Sequence, residues 1–516
     1  MRKTVFPLLL LLFFLPLICR ASLGNQNIST TYRELEFGLS AESRVSSGEN
    51  SPFWFTSGRQ GVSTVSEYGS HLRLSALGGV TIERVYSVNY GIDMVVTDNY
   101  QSDIFLQQIY FDFGYKNFFL SLGSKERWGE LKNTRLSSGG LTWSGNSRPI
   151  PQIRLDIPDY LRIKSLGDWF SLKGHIAYGS FTDSRWRGDI ASRLPGSGYA
   201  DGTLFHSKAG FLKFGDVSRF PLEVTLGLEM YAQFGGIKHN MIYKGVYYDE
   251  YLLPDNLAAY LEVLMPFNPI GNQGDENGNN LGSWHLVFDA TFDRWKFRYY
   301  YEHFYEDHSS MLGIEYKNNA AGEKEFVFYG VRHNWFDGLF GLEINAPDGL
   351  IFDNIVFEFL NTKGLCGSIC NLQHSIITEG VDGRDGMYNH SIYQSYQHWG
   401  YAIGNPALLS PVYNDNGSLL FLSNRVNMYH LGIDGKVSPR VDYRLLVTHV
   451  RHWGTYEKPF RNLEKTTSLL LECSYRFGEF SGWKIGASGG MDFDSGTRLG
   501  NNKGIMFSIS RVWDIL

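Results

Sequence analysis

Proline, cysteine and charge are all scarce in this chain of 516 residues. It has 16 Pro and 4 Cys, and Asp, Glu, Lys and Arg together make up only 19%. A soluble α/β enzyme of this size carries nearer a quarter. The 57 Gly follow no Gly-X-Y period, which excludes a collagen-like chain, and no heptad is sustained long enough for a coiled coil. Beyond the first twenty residues there is no run of about 18 apolar residues, so a bundle of membrane helices is excluded. The mean hydropathy of −0.22 agrees. A formal charge of −6 does not suit a nucleic-acid binder. Aromatics, by contrast, are abundant: 31 Tyr, 36 Phe and 12 Trp. That many aromatics exclude disorder. A large β-rich protein remains, either a soluble sandwich or a membrane barrel.

The N-terminus reads as an export signal. Arg2 and Lys3 give a positive start, Val5 to Ile18 is almost wholly apolar, and Cys19-Arg20-Ala21 offers small residues around a cleavage point after Ala21. An apolar run of about 14 residues is short for a membrane anchor. Ile18 stands where a lipidation signal expects a small residue. The expected division is a cleaved signal peptide at 1–21 and a single barrel domain at 22–516. Export to an oxidising compartment permits a disulfide between Cys366 and Cys370. Only His374 lies near them as a further ligand type, so no metal and no cofactor is expected. Cys473 lies in an alternating stretch and reads as a small apolar side chain.

The dominant pattern is alternation over stretches of about ten residues, the signature of a transmembrane barrel. At 222–232, Leu222, Val224, Leu226, Leu228, Met230 and Ala232 fall on one face, against Glu223, Thr225, Gly227, Glu229 and Tyr231. At 467–477, Leu469, Leu471, Cys473, Tyr475 and Phe477 oppose Ser468, Glu472, Ser474 and Arg476, with Leu470 the exception. Repeated along the chain, this gives roughly sixteen to eighteen strands. Aromatics recur near strand ends, as in Phe53-Trp54-Phe55, Trp169-Phe170 and Tyr299-Tyr300-Tyr301. Such girdles favour a barrel over a sandwich. Tight turns are expected at Asp434-Gly435 and 477–482, and long polar connections at 125–151, 181–203, 235–283 and 361–418. In Pro254–Met265, Leu257, Tyr260, Leu261 and Leu264 have helical spacing, which predicts a short helix in a loop, folded into the mouth or lumen. The fold class is thus all-β: a transmembrane antiparallel barrel of about 18 strands with long loops.

Several blocks also carry a resemblance. Leu136 to Arg154 (LSSGGLTWSGNSRPIPQIR) resembles a signature of the Wzi family of capsule-assembly outer-membrane proteins. So do Tyr299 to Met311 (YYYEHFYEDHSSM) and Asp385 to His390 through Tyr396 to Pro406. His206–Gly215 and Arg444–Tyr456 fit its strands, and the blocks keep their order from about Phe53 to the end. The resemblance implies an outer-membrane barrel that binds capsular or exopolysaccharide and supports its assembly or attachment at the cell surface. It implies no enzyme. Surface polysaccharide, outer-membrane lipid and polysaccharide export machinery are the implied partners. A closed barrel removes strand edges and favours a monomer. The alternative reading is a general diffusion porin for small polar solutes.

Sugar recognition needs flat aromatic faces and fixed hydrogen-bonding groups. Asp385, Tyr388, His390, Tyr393, Tyr396, His398 and Trp399 supply both within one long connection. Trp143, Arg148 and Arg154 form a second candidate group, and Glu302 and His303 add polar contacts. Each group has a structural counter-reading. The aromatics of 385–399 suit packing against the wall. Gly139-Gly140 and Pro149/Pro151 suit a rigid loop folded into the lumen. An enzymatic reading of Glu302, Glu306, Asp307, His308, Ser309 and Ser310 is disfavoured. Neighbours on a strand point to opposite faces, and no Gly-x-Ser-x-Gly elbow surrounds the serines.

Overall fold

The computed structural model describes residues 31–264, 278–306, 313–318, 324–329, 336–365 and 386–515, apart from positions 195, 218, 244, 479–481 and 497. The export signal, Asp385 and the cysteines Cys366 and Cys370 lie outside the described residues, as do Asp307 to Ser310.

Eighteen strands form the wall. They are β1 (Thr31–Ser47), β2 (Tyr68–Ile82), β3 (Tyr86–Asp98), β4 (Ile104–Tyr115), β5 (Phe118–Ser124) and β6 (Gln152–Arg162). Next come β7 (Phe170–Ser180), β8 (Leu204–Phe214), β9 (Leu222–Phe234), β10 (Asn279–Phe292), β11 (Trp295–Glu306) and β12 (Gly338–Asn345). The last six are β13 (Asn354–Asn361), β14 (Val426–Ser438), β15 (Val441–Gly454), β16 (Pro459–Arg476), β17 (Trp483–Asp494) and β18 (Asn502–Asp514). Each pairs antiparallel with the next in sequence. The ring closes where β18 pairs with β1, Glu36 opposite Asp514 and Ser47 opposite Lys503.

Alternation decides which way each side chain points. On β9, Leu226 is exposed on the outer face while Thr225, Glu229 and Gln233 are buried inside. The same holds around the ring: Leu74, Phe111, Leu122, Ile153, Leu342 and Ile485 are all exposed outward. An apolar belt of this extent belongs against lipid, since soluble proteins do not leave such surface wet. Exposed aromatics, among them Tyr86, Tyr115, Phe118, Trp169, Phe292 and Phe477, mark the end of the barrel that carries the short turns.

The tightest turns lie at that end, though 99–103 and 455–458 make short connections at the other. β4 and β5 are joined by Lys116-Asn117, and β10 and β11 by Asp293-Arg294. The long connections 48–67, 125–151, 181–203, 235–278, 307–337 and 362–425 all leave from the other end. The 235–278 connection holds a hairpin, Ile237–Tyr243 with Val246–Leu252. Another hairpin, Gly313–Asn318 with Lys324–Tyr329, also lies outside the ring of eighteen.

Three expectations need correction. Asp434-Gly435 is not a turn but part of β14, and the turn comes at Pro439-Arg440. Gly435 is there for close approach: a Cβ would stand 2.4 Å from the Ile351 carbonyl oxygen of the neighbouring turn. Phe53-Trp54-Phe55 is not a girdle; it forms one helical turn, Phe53–Thr56, buried against the inner wall. The short helix does form, over Leu257–Leu264, but it does not enter the lumen. It packs outside, with Ala259 and Val263 against Ala232 and Phe234 and with Tyr260 beside Tyr178. These wall residues alternate with the inward His175, Ala177, Tyr231 and Gln233, so they face outward. Lys208 Nζ on the same outer face donates to the carbonyls of Val263 and Leu264, capping the helix C-terminus.

Candidate functional site

Inward-facing positions of an open channel are polar. Here the inner face also carries buried Leu281, Val287, Leu360, Met428, Val450 and Leu470. They are apolar because the chain's own loops pack on them. The connections 48–67, 125–151 and 386–425 fold back into the barrel and fill it.

Connection 125–151 goes deepest. Its tip is shaped by Asn133, whose Oδ1 accepts from the backbone N–H of Arg135 and Leu136. Arg135 Nε lies 3.0 Å from Asp434 Oδ2, and Asn133 Nδ2 donates to Glu343 Oε1, both close to the short turns. Glu302 on β11 anchors the next stretch. One carboxylate oxygen accepts from Leu141 N at 2.8 Å and Thr142 N at 3.2 Å, and the other lies 2.6 Å from Lys132 Nζ. Glu358 on β13 does the same for Ser138 N at 2.7 Å and Ser137 Oγ at 2.6 Å.

The loops then bind one another. Tyr388 Oη donates to Leu141 O and accepts from Asn405 N. Tyr396 Oη donates to Thr142 O at 2.9 Å, and Asn405 Nδ2 donates to Gly139 O at 2.6 Å. Gly404 must be glycine here, since a Cβ would stand 2.2 Å from Leu141 O. The 48–67 connection joins through Gln60 N to Gly145 O and Gly61 N to Asn146 O, both 2.9 Å. From 181–203, Asp183 and Arg187 form a fully buried pair, and Arg187 donates to the carbonyls of Tyr393 and Gln397.

The sequence-predicted residues take their places in this plug. Trp143 stacks on Tyr231, ring centres 5.7 Å apart, and donates to Arg127 O. Arg148 lies 3.8 Å above the Phe105 ring and 4.5 Å from that of Trp399, and burial pushes its pKa down to about 10. Arg154 pairs with Asp156 on the inner wall. His303 points to the opposite face from Glu302, with Nδ1 2.8 Å from Asp337 O. His390 Nδ1 accepts from Ile392 N, and Tyr393 is fully buried. His398 is buried as well. Its Nδ1 donates to Arg148 O at 2.9 Å and its Nε2 accepts from Thr182 N at 3.2 Å. Burial pushes its pKa down to about 4. Trp399 is half-buried and donates to Thr182 Oγ1. The geometry therefore brings the three motif blocks together and uses their polar groups to hold loop against loop.

Sequence reasoning did not single out Lys132, Glu358, Asp183, Arg187 or Asn405. The one available signal was apolar residues on the polar face of strands, such as Leu470. Glu229, His285 and Glu302, from three strands, also converge, with one ligand atom of each within 4.8 Å of the others. His285 Nε2 lies 3.1 Å from Glu229 Oε2, and Lys132 already supplies a cation to Glu302.

Space remains beneath the plug, toward the short turns. A small cleft of about 40 Å³ is lined by Trp54, Arg59, Trp128, Lys132, Arg135 and Arg444, with small polar residues and glycines between them. Trp128 and Gly129 also line a wider space of about 530 Å³ that reaches Asn89, Phe119 and Pro158, close to the short turns.

Fold and site define a barrel of the outer-membrane type whose lumen is plugged by its own loops. The chain matches no protein-family model. No curated protein matches it. Among solved structures it is similar to Wzi of Escherichia coli, described as an outer-membrane, carbohydrate-binding β-barrel involved in group 1 capsule assembly. Identity is 13% over 92% of this chain and 83% of that one, with a TM-score of 0.53. It is also similar to OccK5 of Pseudomonas aeruginosa, at 8% identity over 94% and 98% of the two chains, with a TM-score of 0.46. At such identities the likeness is one of fold.

Proposed function

We propose that this chain is a non-enzymatic outer-membrane protein of the Wzi family that binds capsular or exopolysaccharide and supports its attachment or assembly at the cell surface. The observation that carries the reading is the plug. Loops 48–67, 125–151 and 386–425 hydrogen-bond to one another and to the inner wall, and their aromatics fill the lumen. A diffusion porin needs an open, water-lined path. A binder needs a rigid scaffold that presents polar and aromatic groups. The apolar outer belt and the aromatic girdle support placement in the outer membrane. The motif blocks and the fold shared with a carbohydrate-binding barrel support the ligand class. Ring closure leaves no barrel strand edge to pair, which supports a monomer.

The test compares cell-bound and released polysaccharide with and without this gene. Loss of retention on deletion, with binding of the host's glycan by the purified protein, is the expected result. Unchanged retention together with no binding overturns the proposal. Large, steady conductance of the wild-type protein in planar bilayers favours the porin instead.

A further inference from the structure

We infer that the helix Leu257–Leu264 is seated in the outer leaflet of the membrane, its outward face in contact with lipid acyl chains. The inference rests on the outer-membrane placement above and is independent of the glycan. One face of the helix is taken by the wall, through Ala259 and Val263 against Ala232 and Phe234. The other carries Leu257, Ala258 and Leu261, all exposed, the two leucines at 74% and 54%. Glu262 is the one charged residue of the eight. A helix bathed in water turns polar residues outward, whereas a helix apolar on both faces is buried. Lipid is the apolar partner on that side of the wall. The belt runs on around the helix, with Ile176 exposed on β7, Leu212 on β8 and Leu226 on β9.

The height of the helix on the wall agrees. A tilted barrel strand climbs roughly 2.5 Å per residue, and the apolar band is about 25 Å tall. Phe214 ends β8 in the girdle, stacked on Trp169. Lys208, six residues up the strand, lies roughly 15 Å above it, and Leu204 roughly 25 Å. The helix spans that interval. Lys208 Nζ holds its C-terminus, 3.0 Å from Val263 O. Asp255, just before its start, lies near Leu204, since a Cβ on Gly235 would stand 3.2 Å from both. Polar Asp255 and Asn256 thus stand at the rim, at headgroup height, and the apolar turns descend into the leaflet. The helix also accounts for the wall beneath it. Tyr178, His206 and Lys208 point outward, polar groups on a face that lipid requires to be apolar. Tyr178 Oη donates to Tyr260 O at 2.9 Å, and His206 is buried beside the Tyr178 ring, ring centres 4.4 Å apart. The same connection reaches the plug, where Lys238 Nζ of its hairpin donates to Ile392 O at 2.6 Å. The helix therefore seals these polar groups from lipid and ties the hairpin and the 386–425 loop to the membrane.

A nitroxide on Leu261→Cys, in full-length protein whose native cysteines are serine, would be read in phospholipid vesicles against dissolved oxygen and a water-soluble nickel chelate. Leu226→Cys on the belt and Tyr247→Cys on the exposed hairpin are the reference sites. Oxygen concentrates in acyl chains and the chelate stays in water. The expected result at position 261 is relaxation by oxygen at least about threefold stronger than by nickel, as at 226 and the reverse of 247. Nickel access at 261 equal to that at 247 places the helix in water and overturns the inference. Weak relaxation by both probes means that protein covers this face, a second copy of the chain included, and overturns it too. If Leu261→Cys does not fold, Ala258→Cys on the same exposed face takes its place under the same criteria. Nickel access at 226 as high as at 247 would sink the membrane placement itself and the helix with it. A lipid-facing 226 beside a water-facing 261 would sink the helix alone.

Discussion

Glu302 shows how much one inward carboxylate can hold. It satisfies two backbone N–H groups of the plug and the buried ammonium of Lys132 at once. Removing one partner of a buried pair leaves the other charge uncompensated, at about 3–5 kcal/mol. Glu302→Ala should lose about that much in denaturant unfolding, whereas Glu302→Gln, which keeps an acceptor, should lose less. His398 gives a pH signature. Packed against Phe181 and between Thr182 and the Arg148 carbonyl, it is faced by Asp183, Arg187 and Arg148, and burial outweighs Asp183 to depress its pKa from 6.5 to about 4. A released loop binds the proton that the packed loop refuses. The stability is therefore full above about pH 6.5, falls as pH drops and is gone by about pH 4, on the order of 3 kcal/mol. Protection factors of residues 394–405, referred to the intrinsic exchange rate at each pH, should fall as pH drops through that window in the wild type and stay level in His398→Asn. Equal protection at pH 7 and pH 4 would contradict the assignment.

At the level of elements, strand alternation divides substitutions by face. Leu471 is exposed on the outer face of β16 while Glu472 faces the lumen and pairs with Arg444. Leu471→Arg should cost about 2–4 kcal/mol in a bilayer, as a lipid-facing charge does near the midplane. Folding into vesicles, followed by the heat-dependent gel shift, would measure it. The helix Leu257–Leu264 illustrates a different point. Its spacing identified it as a helix, yet spacing cannot say which side of a wall it will cover. Ala259 and Val263 pack on the barrel exterior, and Leu257 and Leu261 stay 74% and 54% exposed. Those two leucines sit where a lipid interface would cover them. Lys208→Met should loosen the helix by removing its C-terminal cap, seen as faster exchange at residues 260–264.

Over the whole molecule, the ring of strands is stiff and the plug is held by many separate anchors. Wild-type protein in planar bilayers should conduct far less than an open barrel of eighteen strands. Deleting residues 131–141 should open a steady channel, because this stretch fills the lumen down to Asp434 and Glu343. A wild-type channel as large as that of the deletion would contradict a plugged lumen.

The barrel was legible in the sequence because its code is local. A period of two fixes inside and outside at every strand, and turn residues mark the ends. The three motif blocks were legible as patches rich in aromatic and polar groups, but their partners were not. Tyr388 meets Leu141 across 247 positions and Asn405 meets Gly139 across 266. By itself the sequence determined the strands, their two faces and the end that bears the long connections. Only the tertiary structure decided that 48–67, 125–151 and 386–425 turn inward while the helix Leu257–Leu264 stays outside, and that Tyr388, Tyr396 and His398 use their polar groups on other loops. The physical reason is that closing the ring forces side chains from distant segments into one volume, and the contacts made there have no short-range period to read.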